Sequence, residues 1–304
     1  MTDKQSTVTN SPKPEICSYE NSPWRTEFWR GRDYEDLAER IAIAKMLPPS
    51  GKRLCEIGAG FGRLADFYRG YERVVLLDYS RTMLVDAVER LGNDPRFLFV
   101  TADLYNLPFA ESTLDTAVTV RVLHHVTDIP RAFTEISRVV RPQGTYLTEF
   151  ANKRHLKSRL RHWFTRRLPD PNSQEPYEFV KLNFDFHPHY IESNLNAANF
   201  KTQSRRAVST FRIPILKRII PANILATLDG AFQSPLANLD LSPSIFLRNQ
   251  STKPGAPNLN ASIWRCPACH STNIDESTET MTCRSCTRRY PISNSIIDFR
   301  LDTH

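Results

Sequence analysis

Three groups of residues in this sequence have the types and spacing to do chemistry. The first is Glu56-Ile-Gly58-Ala-Gly60-Phe-Gly62, with Asp78 and Asp103 further along. An apolar run from Leu54 to Ile57 feeds the glycines, and a second apolar run ends on Asp78. Strand, glycine turn, helix and strand make half of a nucleotide-binding βαβ unit. A tight turn out of a strand needs positive φ, and close approach of a ligand needs a missing Cβ, so glycine suits both. A helix following the turn is expected to aim its free amides at an anionic group such as a carboxylate or phosphate. Asp78 is placed to accept hydrogen bonds from ribose hydroxyls. The expected ligand therefore contains a nucleoside.

The second group is His124-His125, just after the short apolar run Leu114 to Val120. Such a run fits a buried central strand, whose carboxyl end opens on the cleft of an α/β sheet. A histidine with an ordinary pKa near ~6.5 could take a proton from an acceptor, or could serve as a hydrogen-bonded wall residue. The third group is Cys266-Pro-Ala-Cys269 and Cys283-Arg-Ser-Cys286, separated by thirteen residues. Two such knuckles donate four thiolates to one tetrahedral zinc, and four protein ligands leave no open position for water. The expected site is structural, with His270 a bystander.

Length allows one full α/β domain and a smaller one within 304 residues. Forty basic against thirty-three acidic residues give +7, which permits an anionic partner without requiring one. The polar opening MTDKQSTVTNSPKPE has no apolar signal region. The most apolar late stretch is broken by Lys217, Arg218 and Pro221 before it reaches the length of a membrane span. Cys17 and Cys55 stand apart from the clustered four, so a reducing cytoplasm is expected rather than a disulfide scaffold.

The elements that must position these groups follow from pattern. Residues 1–22 read as disordered, being rich in Ser, Thr, Pro and Asn. A helix, DLAERIAIAKML, ends before Pro48, with Trp24, Phe28 and Trp29 ahead of it. Further elements are a helix from about Ser80 to Leu91, a strand Phe97 to Val100, a helix over 129–141 and a strand Gly144 to Phe150. A helix over His187 to Phe200 and strands over Lys201 to Thr210 and Ser242 to Arg248 complete the domain.

The spacing of the glycines differs from the dinucleotide pattern G-x-G-x-x-G. With Glu56 before them and Asp78 and Asp103 after, it resembles motif I and its followers in the class I S-adenosylmethionine methyltransferases, of the type 11 domain. That resemblance implies a doubly wound, seven-stranded Rossmann-like α/β sheet whose last strand is antiparallel. It implies that Glu56, Gly58, Gly60 and Gly62 face the methionine end of the cofactor, that Asp78 holds the ribose and that Asp103 and Leu104 meet the adenine. It also implies that the leading helix lies across the pocket, with Arg30, Arg32 and Tyr34 as candidate wall residues or, alternatively, ordinary packing and solvated groups. The cysteine tail, with Tyr290-Pro-Ile292 and Ile296-Ile-Asp298, resembles the small zinc-ribbon activator subunit of tRNA and protein methyltransferases. It departs from that subunit at Asn294-Ser-Ile-Ile297, where the pattern is often Asp-Gly-Ile-Pro. By analogy the tail would add a strand to a sheet edge in cis, or touch RNA directly.

The expected organisation is a disordered segment 1–22, a methyltransferase domain 23–250, a linker 251–262 and a zinc ribbon 263–304. Insertions 151–182 and 211–241 are expected to form a cap that selects the acceptor. The first carries Lys153, Arg154, Lys157, Arg159, Arg161, Arg166 and Arg167 without an acid over residues 151–169, with Leu156, Leu160, Trp163, Phe164 and Leu168 at helical spacing. This basic amphipathic stretch reads as a lid, a peripheral membrane element or a nucleic-acid element. The expected activity is methyl transfer from S-adenosylmethionine to an O, N or C nucleophile, on a small molecule under the cap or on RNA. A non-catalytic, cofactor-binding scaffold for a partner is the reading from a different class.

Overall fold

The structure is a computed structural model, and it describes residues 14–22, 28–166, 169–256 and 262–301. The chain runs α1 (Asp33–Met46), β1 (Gly51–Ile57), β2 (Tyr71–Asp78), α2 (Arg81–Leu91), β3 (Phe97–Thr101), β4 (Leu114–Thr119), α3 (Ile129–Val139) and β5 (Val140–Ala151). After β5 come α4 (Leu156–Thr165), the hairpin β6 (Tyr177–Val180) and β7 (Asn183–Asp185), α5 (Pro188–Ala197), β8 (Phe200–Val208), α6 (Pro214–Ile219), α7 (Ala222–Phe232) and β9 (Ser244–Ser251). The tail supplies β10 (Ile274–Glu276), β11 (Thr280–Cys283), β12 (Arg289–Ser293) and β13 (Ile296–Asp298).

The central sheet has the order β3-β2-β1-β4-β5-β9-β8, parallel through β5, with β9 antiparallel to both β5 and β8. This is the expected seven-stranded doubly wound sheet. β1 and β4 are almost wholly buried in their apolar stretches because helices cover both faces. One face carries α3 and α5 through Phe133, Ile136, Ile191 and Leu195. The other carries α1, α2 and α7 through Ala38, Ile43, Leu84 and Leu225.

The tail does not stand apart from this sheet. β13 pairs in parallel with β3, Ile296 opposite Phe99 and Asp298 opposite Thr101, and the ribbon strands extend the sheet to eleven. Trp264 stacks on Phe109 at 5.8 Å and lies 5.3 Å from Phe299, so one apolar core spans sheet and ribbon. Part of the expected linker is also structured: Ser251 belongs to β9, and the Lys253 ammonium donates to the carbonyls of Ser137 and Arg138. Residues 257–261 of that linker lie outside the described residues.

Two local expectations differ from the structure. A full helix after the glycine turn is replaced by one 3-10 turn, Ala65–Tyr68, because only a few residues separate Gly62 from the start of β2. Its amide dipoles are too few to carry the anion argument made for a helix. Residues 14–22 of the segment expected to be disordered are ordered against the domain: the Glu20 carboxylate accepts from the Arg81 and Thr82 amides at 2.7 and 3.0 Å, and the Tyr19 amide donates to Ser80. Residues 1–13 lie outside the described residues, as does Trp24. Of the two readings offered for Tyr34, packing is the one the structure shows: it is a core residue, its hydroxyl donating to Asp229 at 2.8 Å beneath α7.

Candidate cofactor cleft and cysteine cluster

Strands β1, β2, β3 and β4 all run in one direction, so their carboxyl ends open on a common side. There a cleft is lined by Glu56, Gly58, Gly60, Asp78, Asp103, Leu104, His124 and His125. Every residue in that set was expected at the site; Gly62, the remaining one, is outside the lining. Gly62 instead turns the chain at φ +71°, where an added Cβ would meet Leu76 and Leu91. Gly58 has φ +73°, and a Cβ there would lie 2.3 Å from Val122 Cγ2. Gly60 opens the wall itself: its amide donates to Asp78 Oδ2 at 2.8 Å, which ties the turn to the end of β2.

Asp78 thus does two jobs at once. Its other oxygen accepts from the Ser80 amide at 2.8 Å, leaving lone pairs on both oxygens at the cleft. Burial raises its pKa to about 6 against the opposing pull of the Ser80 and Gly60 amides. Glu56 is more extreme. Burial pushes its carboxyl up to about 8, with Tyr68 and Arg63 pulling the other way, and its Oε2 has no hydrogen-bond partner among the described residues. An unpaired buried carboxylate oxygen on a cleft wall is the complement of a cationic, hydrogen-bond-donating ligand group such as an ammonium. Asp103 caps the short turn at Leu104 by accepting from the Tyr105 amide at 2.8 Å.

The histidines divide. His125 Nδ1 meets the Leu182 carbonyl at 2.8 Å, so that nitrogen carries the proton and Nε2 accepts from the Tyr19 hydroxyl at 2.7 Å. Both nitrogens are committed, which makes His125 a pin between the N-terminal segment and the β6–β7 hairpin. His124 stacks beside it with ring centroids 3.9 Å apart and makes no hydrogen bond among the described residues. Burial, then His125 and Arg121, hold its pKa well below 6.5 and keep it neutral.

The cleft also uses residues the sequence did not single out. Ile16, Cys17 and Tyr19 cover it from the N-terminal segment, Phe28 and Trp29 from the approach to α1, and Met83 from α2. None of its lining comes from 151–182 or 211–241, and the N-terminal segment covers the cofactor cleft. Arg32 lies 4.0 Å over the Phe28 ring and contributes to the wall only through it, and Arg30 is exposed. Behind the aromatics sits a buried ion-pair network. Glu39, fully buried, pairs with Arg63 at 2.8 Å and with Arg121. Arg121 holds a left-handed φ of +60° at the end of β4, its amide fixed by Glu149 at 2.9 Å. A charged residue held in that conformation at a cleft is a sign of local strain fixed by its neighbours. No motif signals it, because its partners come from α1, the glycine turn and β5.

In the tail, the four expected cysteines converge. Their sulfurs all lie within 4.8 Å of one another, Cys266 to Cys286 at 3.7 Å and Cys269 to Cys283 at 3.5 Å. A tetrahedron with metal–sulfur bonds of about 2.3 Å has edges of about 3.8 Å, so the set fits one zinc. The Tyr290 hydroxyl, 3.0 Å from Cys266 Sγ, is a donor to that sulfur from outside the ligand set. His270 adds no ligand atom to the cluster.

Residues 55–148 match the family model described as "Methyltransferase domain". Among curated relatives, the demethylmenaquinone methyltransferase of Roseiflexus sp. (strain RS-1) is 35% identical over 138 residues, covering 44% of this chain and 57% of that protein. The S-adenosylmethionine-dependent methyltransferase from Mesorhizobium loti superposes with TM-score 0.53 at 19% identity, over 70% of this chain and 97% of its own. A chain from the complex of the Haloferax volcanii Trm112 methyltransferase activator with a methyltransferase gives TM-score 0.52 at 15% identity, over 76% and 96%. These structures share the fold. Residues 55–148 therefore carry a methyltransferase domain, built on the fold that those structures share. The chain spans between 26% and 57% of the length of the first curated relatives it matches.

Proposed function

We propose that the chain is a working methyltransferase that binds S-adenosylmethionine in the cleft and methylates a small, largely apolar acceptor. The observation that carries this reading is the convergence of Glu56, Gly60, Asp78 and Asp103 on one cleft, with Glu56 Oε2 unpaired. In it Glu56 pairs the ammonium of the amino-acid end, the Gly58 to Gly60 backbone lies against that end, Asp78 accepts from the ribose and Asp103 with Leu104 borders the adenine. S-adenosylmethionine, when bound, supplies an electrophilic methyl group on a sulfonium. The chain's own residues do the rest by alignment and by excluding water. Tyr19, Phe28 and Trp29 close the cleft with aromatic surface. His124, which makes no hydrogen bond among the described residues and is kept neutral by burial, would accept a hydrogen bond from the acceptor and orient it, while His125 keeps the cover in place.

A small apolar acceptor is favoured by the aromatic cover and by the relatives whose names include demethylmenaquinone methyltransferase. The four cysteines are assigned one structural zinc, and a reducing compartment such as the cytoplasm is the setting in which clustered thiols hold metal rather than disulfides. The test incubates the purified protein and methyl-labelled S-adenosylmethionine with a quinol, a mixed metabolite extract and total RNA. Label in the quinol or metabolite fraction supports the reading. Label in RNA alone overturns the acceptor class, and intact cofactor binding without label in any fraction overturns the catalytic assignment.

A further inference from the structure

The two insertions do not line the cleft, yet they carry an unusual surface. Every large apolar side chain exposed among the described residues lies between Leu156 and Leu239, on α4, the β6–β7 hairpin, α6, α7 and the turn after α7. On α4, Leu156, Leu160, Trp163 and Phe164 fall within one stripe of the helix, opposite the only buried residue, Ser158. Trp163 and Phe164 are 67% and 75% exposed. On α7, Leu225, Ala226, Asp229 and Gly230 turn inward, and the outer face consists of Ile224, Leu228 and Phe232 with Thr227 and Ala231. That outer face has no charge at all. On α6, Ile215 and the 71% exposed Ile219 extend it.

The insertions meet one another. The Leu156 amide donates to the Leu241 carbonyl at 2.9 Å, and the Arg159 guanidinium donates to the Leu239 carbonyl at 3.0 Å. Basic residues border the apolar ones. Lys157 and Arg161 follow the α4 stripe along one side, Arg218 stands beside Ile219, and none of the three is in an ion pair among the described residues. Of the nearby acids, Asp240 is engaged by Arg205 and Arg154, Asp229 by Tyr34 and Glu35 by Lys217, while Asp170 lies near His162, Asp185 near Arg161, and Glu178 is exposed on the β6–β7 hairpin.

We propose that this surface docks the protein on an anionic lipid bilayer. Aromatic and aliphatic side chains flanked by unpaired Lys and Arg match the boundary between acyl chains and acidic headgroups, where an amphipathic helix buries its apolar face by about 5–10 Å. No helix among the described residues is long and apolar enough to cross a membrane, so the attachment is to one leaflet. Pairing with a second copy of the chain through a two-fold interface would gather Lys157, Arg161 and Arg218 of both copies into one buried patch, at a like-charge and desolvation cost. RNA would find cations on α4 and nothing on the uncharged face of α7. The inference does not depend on the acceptor assigned above.

Co-sedimentation with phosphatidylcholine vesicles containing about one-third phosphatidylglycerol tests it. The full chain is expected to bind these vesicles and to bind pure phosphatidylcholine vesicles at least about tenfold more weakly. Trp163→Ala with Phe164→Ala should lower the partition coefficient about tenfold or more, and Lys157→Glu with Arg161→Glu should remove the preference for anionic lipid. Trp163 emission should shift blue on binding and be quenched by brominated lipid, a signal absent in Trp163→Phe. Cofactor affinity by calorimetry should be unchanged in all these surface variants, which separates lipid binding from misfolding. Absence of vesicle binding by the folded wild type, or binding indifferent to both double variants, overturns the proposal. Self-association or RNA binding abolished by the same substitutions, without lipid binding, assigns the surface to that partner and also overturns it.

Discussion

Replacing Glu56 by glutamine should separate the charge of the cleft from its shape. With its pKa raised by burial to about 8, the Glu56 carboxyl is protonated in about nine of ten ligand-free molecules at pH 7. Pairing with an ammonium needs the carboxylate, so binding should release about 0.9 proton at pH 7. Asp78, raised only to about 6, is already about nine-tenths ionised there and adds about 0.1 proton at most. Calorimetry of S-adenosylmethionine binding in buffers of different ionisation enthalpy reads the released proton directly. Wild-type affinity should rise about tenfold from pH 6 to pH 7, or about 1.4 kcal/mol. Glu56→Gln should release no more than the ~0.1 proton of Asp78 and lose most of the pH-dependent rise, and its affinity deficit should widen over the same interval. Binding heats that do not depend on the buffer at pH 7, or a release near the wild-type ~0.9 proton that persists in Glu56→Gln, would refute the pairing.

Three further perturbations probe the scaffold. Gly58→Ala places a Cβ 2.3 Å from Val122 Cγ2 at φ +73°, and should lower stability by roughly 1–3 kcal/mol. Adding Val122→Ala should restore part of that loss in thermal unfolding and leave the backbone part; full restoration would show that φ carries no strain. Glu39→Ala strips the buried partner from Arg63 and Arg121 and should cost roughly 3 kcal/mol or more, against an exposed-pair value below about 1 kcal/mol, as read by denaturant unfolding. Cys266→Ser with Cys269→Ser should abolish metal binding and release β13 from β3, lowering hydrogen-exchange protection of the β3 amides from Phe97 to Thr101. One bound metal per chain after that change would exclude the four-sulfur site.

What could be read from sequence was what is local. The turn from Glu56 to Gly62 and the acids at Asp78 and Asp103 are legible because each sits at a strand end, where residue type answers to a backbone requirement. The cysteine cluster is legible because metal spacing within each knuckle is fixed by the chain. The cover over the cleft was not. Residues 14–22 have the composition of a disordered segment, and what orders them is contact with residues far away, such as Tyr19 with His125 across 106 positions. The role of Arg121 was hidden for the same reason, since it is defined by Glu39 and Glu149. Attachment of the ribbon to the sheet was legible only by analogy, because a three-residue strand such as Ile296–Asp298 gains its partner from the exposed edge of β3. The insertions are legible only as a choice of roles, because the helical spacing of Leu156, Leu160, Trp163 and Phe164 is the same in a lid and in a docking face, and the structure leaves those side chains exposed.

The account rests on the cleft holding S-adenosylmethionine in one orientation, and a crystal structure with the demethylated product, S-adenosylhomocysteine, tests that most directly. The predicted result places the ammonium on Glu56, the ribose hydroxyls on Asp78 and the adenine beside Asp103 and Leu104, with Tyr19 still closed on His125. Density elsewhere, a reversed ligand, or an empty cleft at saturating ligand would contradict it.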